Sequence, residues 1–310
     1  MDQQDQARLY ASVAQEAAAV VIRRYSTSFL LATRLLEKPV RRHVENIYAL
    51  VRIADECVDG ACAGSGSAPE AVRACLVKLE EDTIDAVQGC YSSNLVVHAF
   101  ALTARAVGIG PELVRPFFAS MRADLARSEH TRESFDEYVY GSAEVVGMMC
   151  VRAFLQGRMV NPGHLSRLED GARRLGAAFQ KINFLRDLAD DFQDLGRSYF
   201  PGISVEEFSD TQKDALLAEI TDDLAAAQAV IAELPAGSRT AVAAVHALFA
   251  ELARRLGAAP ARELLHRRVR VPDAVKLRLV AAAWYGQRTT PRQLRLRQLA
   301  AAAALHRGRA

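Results

Sequence analysis

Apolar residues recur at intervals of three and four along nearly the whole chain, which is the spacing of a helix that buries one face. Strict alternation of apolar and polar residues, which marks a half-buried strand, is scarce. Prolines fall near many of the expected helix starts, where this residue disturbs a helix least. The pattern predicts helices over residues 4–24, 27–36, 40–59, 69–89, 92–107, 111–128, 133–157, 162–192, 209–233, 238–257, 260–267, 272–285 and 290–306.

The connections between these helices predict a single domain. The one low-complexity connection is GACAGSGSAP at 60–69, which is typical of a flexible loop rather than of a linker between domains. The chain shows no internal repeat of fixed period and no Pro/Gly-rich joint between two halves. We therefore predict an all-α protein with one domain over residues 1–310, ending in a basic helical tail at 286–310.

Composition narrows the class and the compartment. Half of the 310 residues are hydrophobic and a quarter are charged, as in a globular protein with a large core. The net charge of +2 argues neither for nor against a nucleic-acid partner, and we expect none. The five cysteines form no CxxC pair, which favours reduced thiols over a zinc site. The N-terminal residues do not resemble a signal peptide, and no apolar stretch approaches the roughly 20 residues of a spanning helix. We expect a cytoplasmic protein with at most peripheral membrane contact.

Two carboxylates interrupt an otherwise apolar helix in the segment YALVRIADECVDG, residues 48–60. Asp55 and Asp59 stand four residues apart, so both side chains project from one helix face and repel each other. Arg52, one turn earlier, offers one positive charge against two negative ones. A bound cation would stabilise the pair if it is buried. The alternative is a solvated helix face, which is the ordinary place for two neighbouring acids.

A second polar stripe runs through LGAAFQKINFLRDLADDFQDLGRSYFP, residues 175–201. Asn183, Asp187 and Asp191 follow one another at intervals of four on a mostly apolar helix, with Arg186 beside them. Two such stripes on separate helices can face each other across the interior of a helical bundle. Carboxylates favour Mg²⁺, with Mn²⁺ as the alternative, and Mg²⁺ is usually held by one or two carboxylates together with substrate phosphates. The two stripes therefore predict Mg²⁺ ions that bind a diphosphate.

Four segments, taken in order, resemble the squalene/phytoene synthase family: YSTSFLLATRLL at 25–36, YALVRIADECVDG at 48–60, DEYVYGSAEVVGMM at 136–149 and QKINFLRDLADDFQDLGRSYFP at 180–201. The resemblance covers a core of about residues 15–285, and it is strongest to the bacterial members that serve carotenoid biosynthesis. It implies the isoprenoid synthase fold, which is a single-domain helical bundle with a central active-site cavity.

The same resemblance implies roles for individual residues. Mg²⁺ binding falls to Asp55, Asp59, Asn183, Asp187 and Asp191, and these with Arg52 and Tyr138 form the expected catalytic set. Substrate contact falls to Ser26, Ser28, Phe29, Arg52, Arg186 and Arg268, and a place in the lining of the central cavity to Tyr138, Asn183 and Arg186. For Ser26 and Ser28 a second interpretation stays open, because serine is also a common cap at a helix start.

The expected reaction joins two molecules of geranylgeranyl diphosphate head to head, through a cyclopropyl diphosphate, into phytoene. No NADPH is expected, because no glycine-rich dinucleotide fingerprint follows a strand. One alternative is an enzyme that uses farnesyl diphosphate to make dehydrosqualene, squalene or presqualene diphosphate. The depth of the cavity decides between the two substrates, and we expect that depth to depend on Phe29, Leu50, Met148, Phe154 and Phe179. The alternative from another class is a non-catalytic helical adaptor with the same fold.

The sequence departs from the family pattern at three places. Glu144 stands where a small residue is common, and we expect it to change the polarity of the metal site, the diphosphate site or the cavity. Glu56 follows the first aspartate, where many relatives carry a second aspartate. A tyrosine that many members carry near position 245 is not apparent, since Val245 and His246 occupy that stretch.

Overall fold

The computed structural model describes residues 2–89, 91–195, 197–204 and 207–286, with all their side chains except those of residues 27, 28, 63 and 191–195. This part of the chain is all-α, as predicted, and it contains no strand beyond one isolated bridge between Glu129 and Ser198. The predicted helix at 290–306, and with it nearly all of the predicted basic tail, lies outside the described residues.

The helices follow the predicted order closely. They are α1 (Gln3–Tyr25), α2 (Thr27–Thr33), α3 (Lys38–Val58), α4 (Ala61–Gly64), α5 (Pro69–Gly89), α6 (Leu95–Val107), α7 (Pro111–Asp124), α8 (Arg132–Val139), a π-helical turn (Tyr140–Glu144), α9 (Val145–Phe154), α10 (Pro162–Leu195), α11 (Asp210–Ile231), α12 (Ala236–Ala258), α13 (Ala261–Leu264) and a last helix, α14, over 273–286.

Local sequence signals set where several of these helices begin. Thr131 and Ser209 each form a capping box, in which the side chain accepts from a backbone N–H of the first turn and is answered by the residue three positions on. Asn94 caps α6 by accepting from two backbone N–H groups, and Gly108 ends that helix in the left-handed conformation that glycine adopts without strain. These caps account for helix boundaries that the apolar pattern alone leaves uncertain.

The main difference from the prediction is the π-helical turn at Tyr140–Glu144 inside the helix expected over 133–157. A π-helical turn widens the helix locally, so the residues after it are rotated relative to an uninterrupted α-helix. The apolar period alone does not indicate such a turn. It lies against α7 and α10.

Helix α10 is central to the domain, because it packs against the π-helical turn, α9, α11, α12 and α13. One apolar cluster joins α8 and α10 to α11, α12 and α13, and a second joins α3, α5, α6, α7 and α9. Burial of these side chains supplies most of the favourable free energy of folding.

Two glycines allow α10 to approach the preceding helices at backbone distance. A Cβ atom on Gly147 of α9 would lie 2.5 Å from the carbonyl oxygen of Ala172, and one on Gly176 of α10 would lie 2.6 Å from that of Ala143. No real Cβ tolerates such a distance to a backbone atom. The chain is therefore fixed at this crossing by the absence of two side chains.

We expect Gly147→Ala to lower the free energy of unfolding by about 2 kcal/mol, because overpacking forces α9 and α10 apart. Gly163→Ala, near the start of α10, is the matched control, because its Cβ would meet nothing closer than 3.7 Å. Urea unfolding of both variants tests this. Equal stabilities for the two variants would contradict the close crossing.

Candidate active site

A largely apolar cavity of about 320 Å³ lies between α2, α3, the π-helical turn, α9, α10, α11 and α12. Along α10 its lining runs from Leu168 to Asn183, an interval of fifteen residues that corresponds to about 22 Å at the helical rise per residue. Leu168 belongs to a buried apolar cluster with Val151 and Leu234, which closes that end. The other end is polar, because Gln180 and Asn183 line it. The predicted central cavity is thus present in the structure.

Small residues keep this passage open along α10. Gly171, Ala172 and Gly176 all line the cavity, so little side-chain volume enters it from this helix. Near the polar end, the ring of Phe179 stacks on Phe249 with centroids 3.8 Å apart, and Phe29 lies 6.4 Å from Phe179. Phe29 and Phe179 thus place two aromatic rings in the lining near the polar end.

Both acidic stripes continue the cavity-lining faces of their helices. On α3, Val51 lines the cavity and Asp55 follows four residues later; on α10, Asn183 lines it and Asp187 follows four residues later. Residues four apart share a helix face, so both carboxylates lie one turn beyond the polar end of the cavity. That the two stripes share one site stays a prediction from the sequence. The side chain of Asp191 lies outside the described residues.

The first acidic pair is more exposed than the buried pair we expected. The Asp55 side chain is 43% exposed and that of Asp59 28% exposed. Arg52 donates to Asp55 at 2.6 Å and also to Glu56, while its guanidinium lies over the ring of Tyr25. Partial burial raises the pKa of Asp55, Arg52 opposes that shift, and the neighbouring Asp59 adds to it. The two charges are separated from water on one side only.

The expectation that Arg52 alone faces two carboxylates is wrong. Arg197, from the segment after α10, lies 2.7 Å from Asp59. Its partner is 138 positions away in the sequence, so no local spacing indicates the contact. The only available signal is that Arg197 stands inside the segment on which the family resemblance rests.

The second acidic stripe is held by two arginines. Arg186 donates to Asp187 from Nε at 2.8 Å and from a second nitrogen, and Arg268 donates to the same carboxylate at 2.7 and 2.9 Å. The Asp187 side chain is 16% exposed. Arg268, predicted only from the resemblance, is thus brought to the second stripe across 81 positions of sequence. A polar pocket lined by Arg186, Asp190 and residues 264–268 opens beside it.

Tyr138 does not line the apolar cavity. It is buried, and its hydroxyl donates to Asp124 at 2.8 Å. Asp124, at the end of α7, also accepts from the hydroxyl of Tyr199 at 3.2 Å. Burial raises the pKa of Asp124 to about 7, although Arg197 and the tyrosine hydroxyls oppose that shift. The sequence analysis missed Asp124, because one aspartate at the end of an apolar helix has no distinctive pattern.

The two predicted serines differ in what the structure describes. Ser26 accepts from the backbone N–H of Phe29 at 3.1 Å and so caps α2, the interpretation that the sequence left open. The side chain of Ser28 lies outside the described residues. Phe29 lines the cavity, as expected of a residue that contacts an isoprenoid chain.

The departures from the family pattern lie in different surroundings. Glu144 binds Arg173 of α10 at 2.7 Å and is not among the cavity-lining residues, although Ser142 and Ala143 are. Val245 lines the cavity, whereas His246 contacts the backbone oxygen of Leu224. The wall at position 245 is therefore apolar.

The prediction of which residues set the cavity depth is wrong for two of the five. Phe29, Phe154 and Phe179 line the cavity, but Leu50 and Met148 do not. Both lie on faces of α3 and α9 that pack into the second apolar cluster. Apolar period distinguishes a buried face from an exposed one, and it does not distinguish two buried faces of the same helix.

The donor set of the acidic stripes suits a hard divalent cation that is shared with a ligand. Within the described residues, no three His, Cys, Asp or Glu side chains converge into a ready-made metal cage. Mg²⁺ requires no such cage, because one or two carboxylates and substrate phosphates commonly complete its shell. Arg52, Arg186, Arg197 and Arg268 add the positive charge that a diphosphate requires. Asp55, Asp59 and Asp187 are the described residues that fit such an ion.

The described helices also bear on membrane contact. None of them is both long and apolar enough to span a bilayer.

Comparisons with known proteins agree with the motifs. A sequence model of the squalene/phytoene synthase family matches residues 22–274. The phytoene synthase of Pseudescherichia vulneris is 28% identical over 76% of this chain and 79% of its own. The 15-cis-phytoene synthase of Synechocystis is 31% identical over 68% of this chain and 62% of its own.

Solved structures confirm the predicted fold. A dehydrosqualene synthase superposes with a TM-score of 0.74 at 20% identity, covering 93% of this chain and 100% of that one. The squalene synthase HpnC from Alicyclobacillus acidocaldarius gives 0.67 at 16% identity over 81% of this chain and 97% of its own. The helical fold is shared across these proteins.

Proposed function

Because the chain belongs to the squalene/phytoene synthase family, we propose that it is a prenyltransferase that joins two molecules of geranylgeranyl diphosphate head to head into phytoene. One observation carries the proposal: an apolar passage of about 22 Å ends at two acidic stripes and their arginines. Such a passage suits a long hydrocarbon with a diphosphate at one end. Relatives named phytoene synthase support the choice of reaction.

The residues divide the work of ionising an allylic diphosphate. Asp55, Asp59, Asp187 and Asp191 would hold Mg²⁺, or Mn²⁺, with Asn183 beside them, and such an ion would supply positive charge against the leaving diphosphate. Arg52, Arg186 and Arg268 then contact phosphate oxygens instead of the carboxylates they pair with in the structure. Charge-assisted contacts of this kind stabilise the leaving group where its charge develops.

The cavity wall protects the cation that remains. Its apolar lining excludes water, and the faces of Phe29 and Phe179 carry the negative quadrupole that attracts a cation. The double bond of the second substrate attacks this cation, and loss of one proton from the new carbocation closes the cyclopropane ring of a cyclopropyl diphosphate. Loss of its diphosphate, rearrangement and loss of one proton give the hydrocarbon. No reductant takes part, so NADPH is not required.

The length of the cavity favours the longer substrate. Carbon–carbon bonds of about 1.5 Å, set in a zigzag, advance a prenyl chain by roughly 5 Å per isoprene unit. An extended geranylgeranyl chain therefore measures about 20 Å and a farnesyl chain about 15 Å. The passage along α10, about 22 Å, matches the former. Farnesyl diphosphate and a C30 product remain the second candidate, since the solved structures compared above are named dehydrosqualene synthase and squalene synthase.

Product analysis tests the proposal directly. The purified chain is incubated with Mg²⁺ and geranylgeranyl or farnesyl diphosphate, each with and without NADPH. We expect a C40 hydrocarbon from geranylgeranyl diphosphate without NADPH, and none after chelation of the metal. Asp187→Asn should lower the rate about a hundredfold or more, because a ligand at the charge-developing end is lost. Asp170→Asn, at an exposed aspartate of the same helix that lies away from the acidic stripes, is the matched control and should leave the rate near wild type.

The other outcomes distinguish the alternatives. A C30 product would keep the metal assignment and move the substrate to farnesyl diphosphate. Absence of turnover with both substrates, in protein that is folded by circular dichroism, would favour the non-catalytic adaptor.

Ala172→Phe should shift the preference toward farnesyl diphosphate. Ala172 lines the cavity eleven residues from Asn183, so a ring there leaves about 16 Å of passage, enough for a farnesyl chain and too short for a geranylgeranyl chain. The measurement is the ratio of kcat/KM values for the two substrates. Ser166→Phe places the same ring on the exposed face of α10 and should not change the ratio. An unchanged ratio in Ala172→Phe would contradict the idea that the cavity length along α10 selects the length of the prenyl chain.

Contact with an anionic membrane surface is a further part of the proposal, because substrate and product are poorly soluble in water. The outer face of α14 is largely apolar and includes Leu277, which is 59% exposed. The sequence after Asp273 contains no acidic residue and six arginines beyond position 286. A basic segment next to an apolar helix face fits the headgroups and acyl chains of an anionic bilayer.

Flotation with liposomes checks this contact. The full chain should float with vesicles that contain anionic lipid and less with neutral ones, and Leu277→Glu should reduce flotation. Met159→Glu is the control, since Met159 is a fully exposed apolar side chain away from α14, and it should behave as wild type. Complete recovery of the wild-type chain in the soluble fraction would contradict the contact.

A further inference from the structure

Asp124 is a buried carboxylate that lies apart from both acidic stripes. Its side chain is 4% exposed, and three groups from distant parts of the chain converge on it. Tyr138 of α8 donates to one oxygen at 2.8 Å, and Tyr199 donates to the other at 3.2 Å. Arg197 lies 3.9 Å from that second oxygen. Asp124 thus joins α7 and α8 to the segment that follows α10.

Arg197 connects this cluster to the first acidic stripe. One of its terminal nitrogens, Nη1, lies 2.7 Å from Asp59, donates to the hydroxyl of Tyr199 at 3.3 Å, and lies 3.9 Å from Asp124. The Arg197 side chain is 11% exposed, so water contributes little to balancing its charge. A guanidinium between two carboxylates is attracted by both, and each carboxylate limits how fully the other engages it.

Stability alone does not account for a carboxylate at this position. A buried acid whose pKa in the folded protein is raised binds a proton more readily than in the unfolded chain. Such a group contributes most stability below its unfolded pKa and loses that contribution as the pH rises through its folded pKa, here about 7. Burial therefore opposes the negative charge of Asp124 near neutral pH, whereas Arg197 and the hydroxyls of Tyr138 and Tyr199 favour it.

We propose that Asp124 is a positioning residue for the first acidic stripe: its carboxylate shares the Arg197 guanidinium with Asp59 and so leaves Asp59 able to bind a divalent cation. The inference rests on the proposed function, because it assumes that Asp59 is a metal ligand. Without the Asp124 charge, Arg197 rests on Asp59 alone. An incoming cation must then displace an undivided, partly buried ion pair.

The test measures metal-dependent binding rather than turnover. The melting temperature of the full chain is recorded across a Mg²⁺ titration in the presence of inorganic diphosphate, since a ligand that binds the folded state raises it. We expect Asp124→Asn to raise the Mg²⁺ concentration at half-maximal stabilisation about tenfold, as for other groups that act on a metal through its ligands. Asp124→Glu keeps the charge and should return this concentration toward wild type.

Asp223→Asn is the matched control for the loss of a buried charge. The Asp223 side chain, on α11, is 3% exposed and lies away from the acidic stripes. Two residues of α10 bind it, Arg174 at 2.8 Å and Lys181 at 2.9 Å. We expect it to change the melting temperature without changing the Mg²⁺ requirement. If Asp124→Asn does not fold, Tyr199→Phe, which removes a hydroxyl shared by Asp124 and Arg197, should raise the requirement in the same direction.

The outcomes separate this inference from the proposed function. A wild-type response to Mg²⁺ together with an unaltered half-maximal concentration in Asp124→Asn would overturn the positioning role alone. A wild-type chain that shows no response to Mg²⁺ with diphosphate would overturn the metal site itself, and the positioning role with it.

Discussion

Carboxylates beside an apolar cavity need positive charge against them, and the arrangement of this site follows from that requirement. Each described carboxylate of the two stripes has an arginine: Arg52 for Asp55, Arg197 for Asp59, and both Arg186 and Arg268 for Asp187. These arginines come from α3, from α10 and from two separate connecting segments. Two of these pairings are local, whereas Arg197 and Arg268 reach their carboxylates only once the bundle has brought distant parts of the chain together.

Much of the fold was predictable, because its cause is local. Helices that bury one face carry that information in a period of three to four residues, and prolines at several starts confirm the boundaries. The two acidic stripes were found in the same way, since Asp55 and Asp187 each continue an apolar helix face. The two helices that carry the stripes line one cavity, and the shared metal site stays a prediction.

The contacts that the sequence did not reveal are those between distant positions. Arg197 meets Asp59 and Asp124 through the packing of whole helices, and no period relates them. The π-helical turn escaped notice for a different reason: it changes the register of a helix without changing its apolar composition. The same limit explains Leu50 and Met148, which are buried as expected but on the wrong side of their helices.

The passage along α10 has a further consequence for how substrate size is read. One turn of an α-helix rises 5.4 Å, and one isoprene unit extends a prenyl chain by nearly the same distance, roughly 5 Å. Every turn of α10 from Leu168 to Asn183 places one or two residues in the cavity lining. The turns of α10 are therefore spaced like the isoprene units of a prenyl chain, so a single side chain at the right turn corresponds to a whole C5 unit. Under the proposed function, a change between a C40 and a C30 product then requires no change in the fold and only a side chain placed one helical turn nearer to or farther from Asn183.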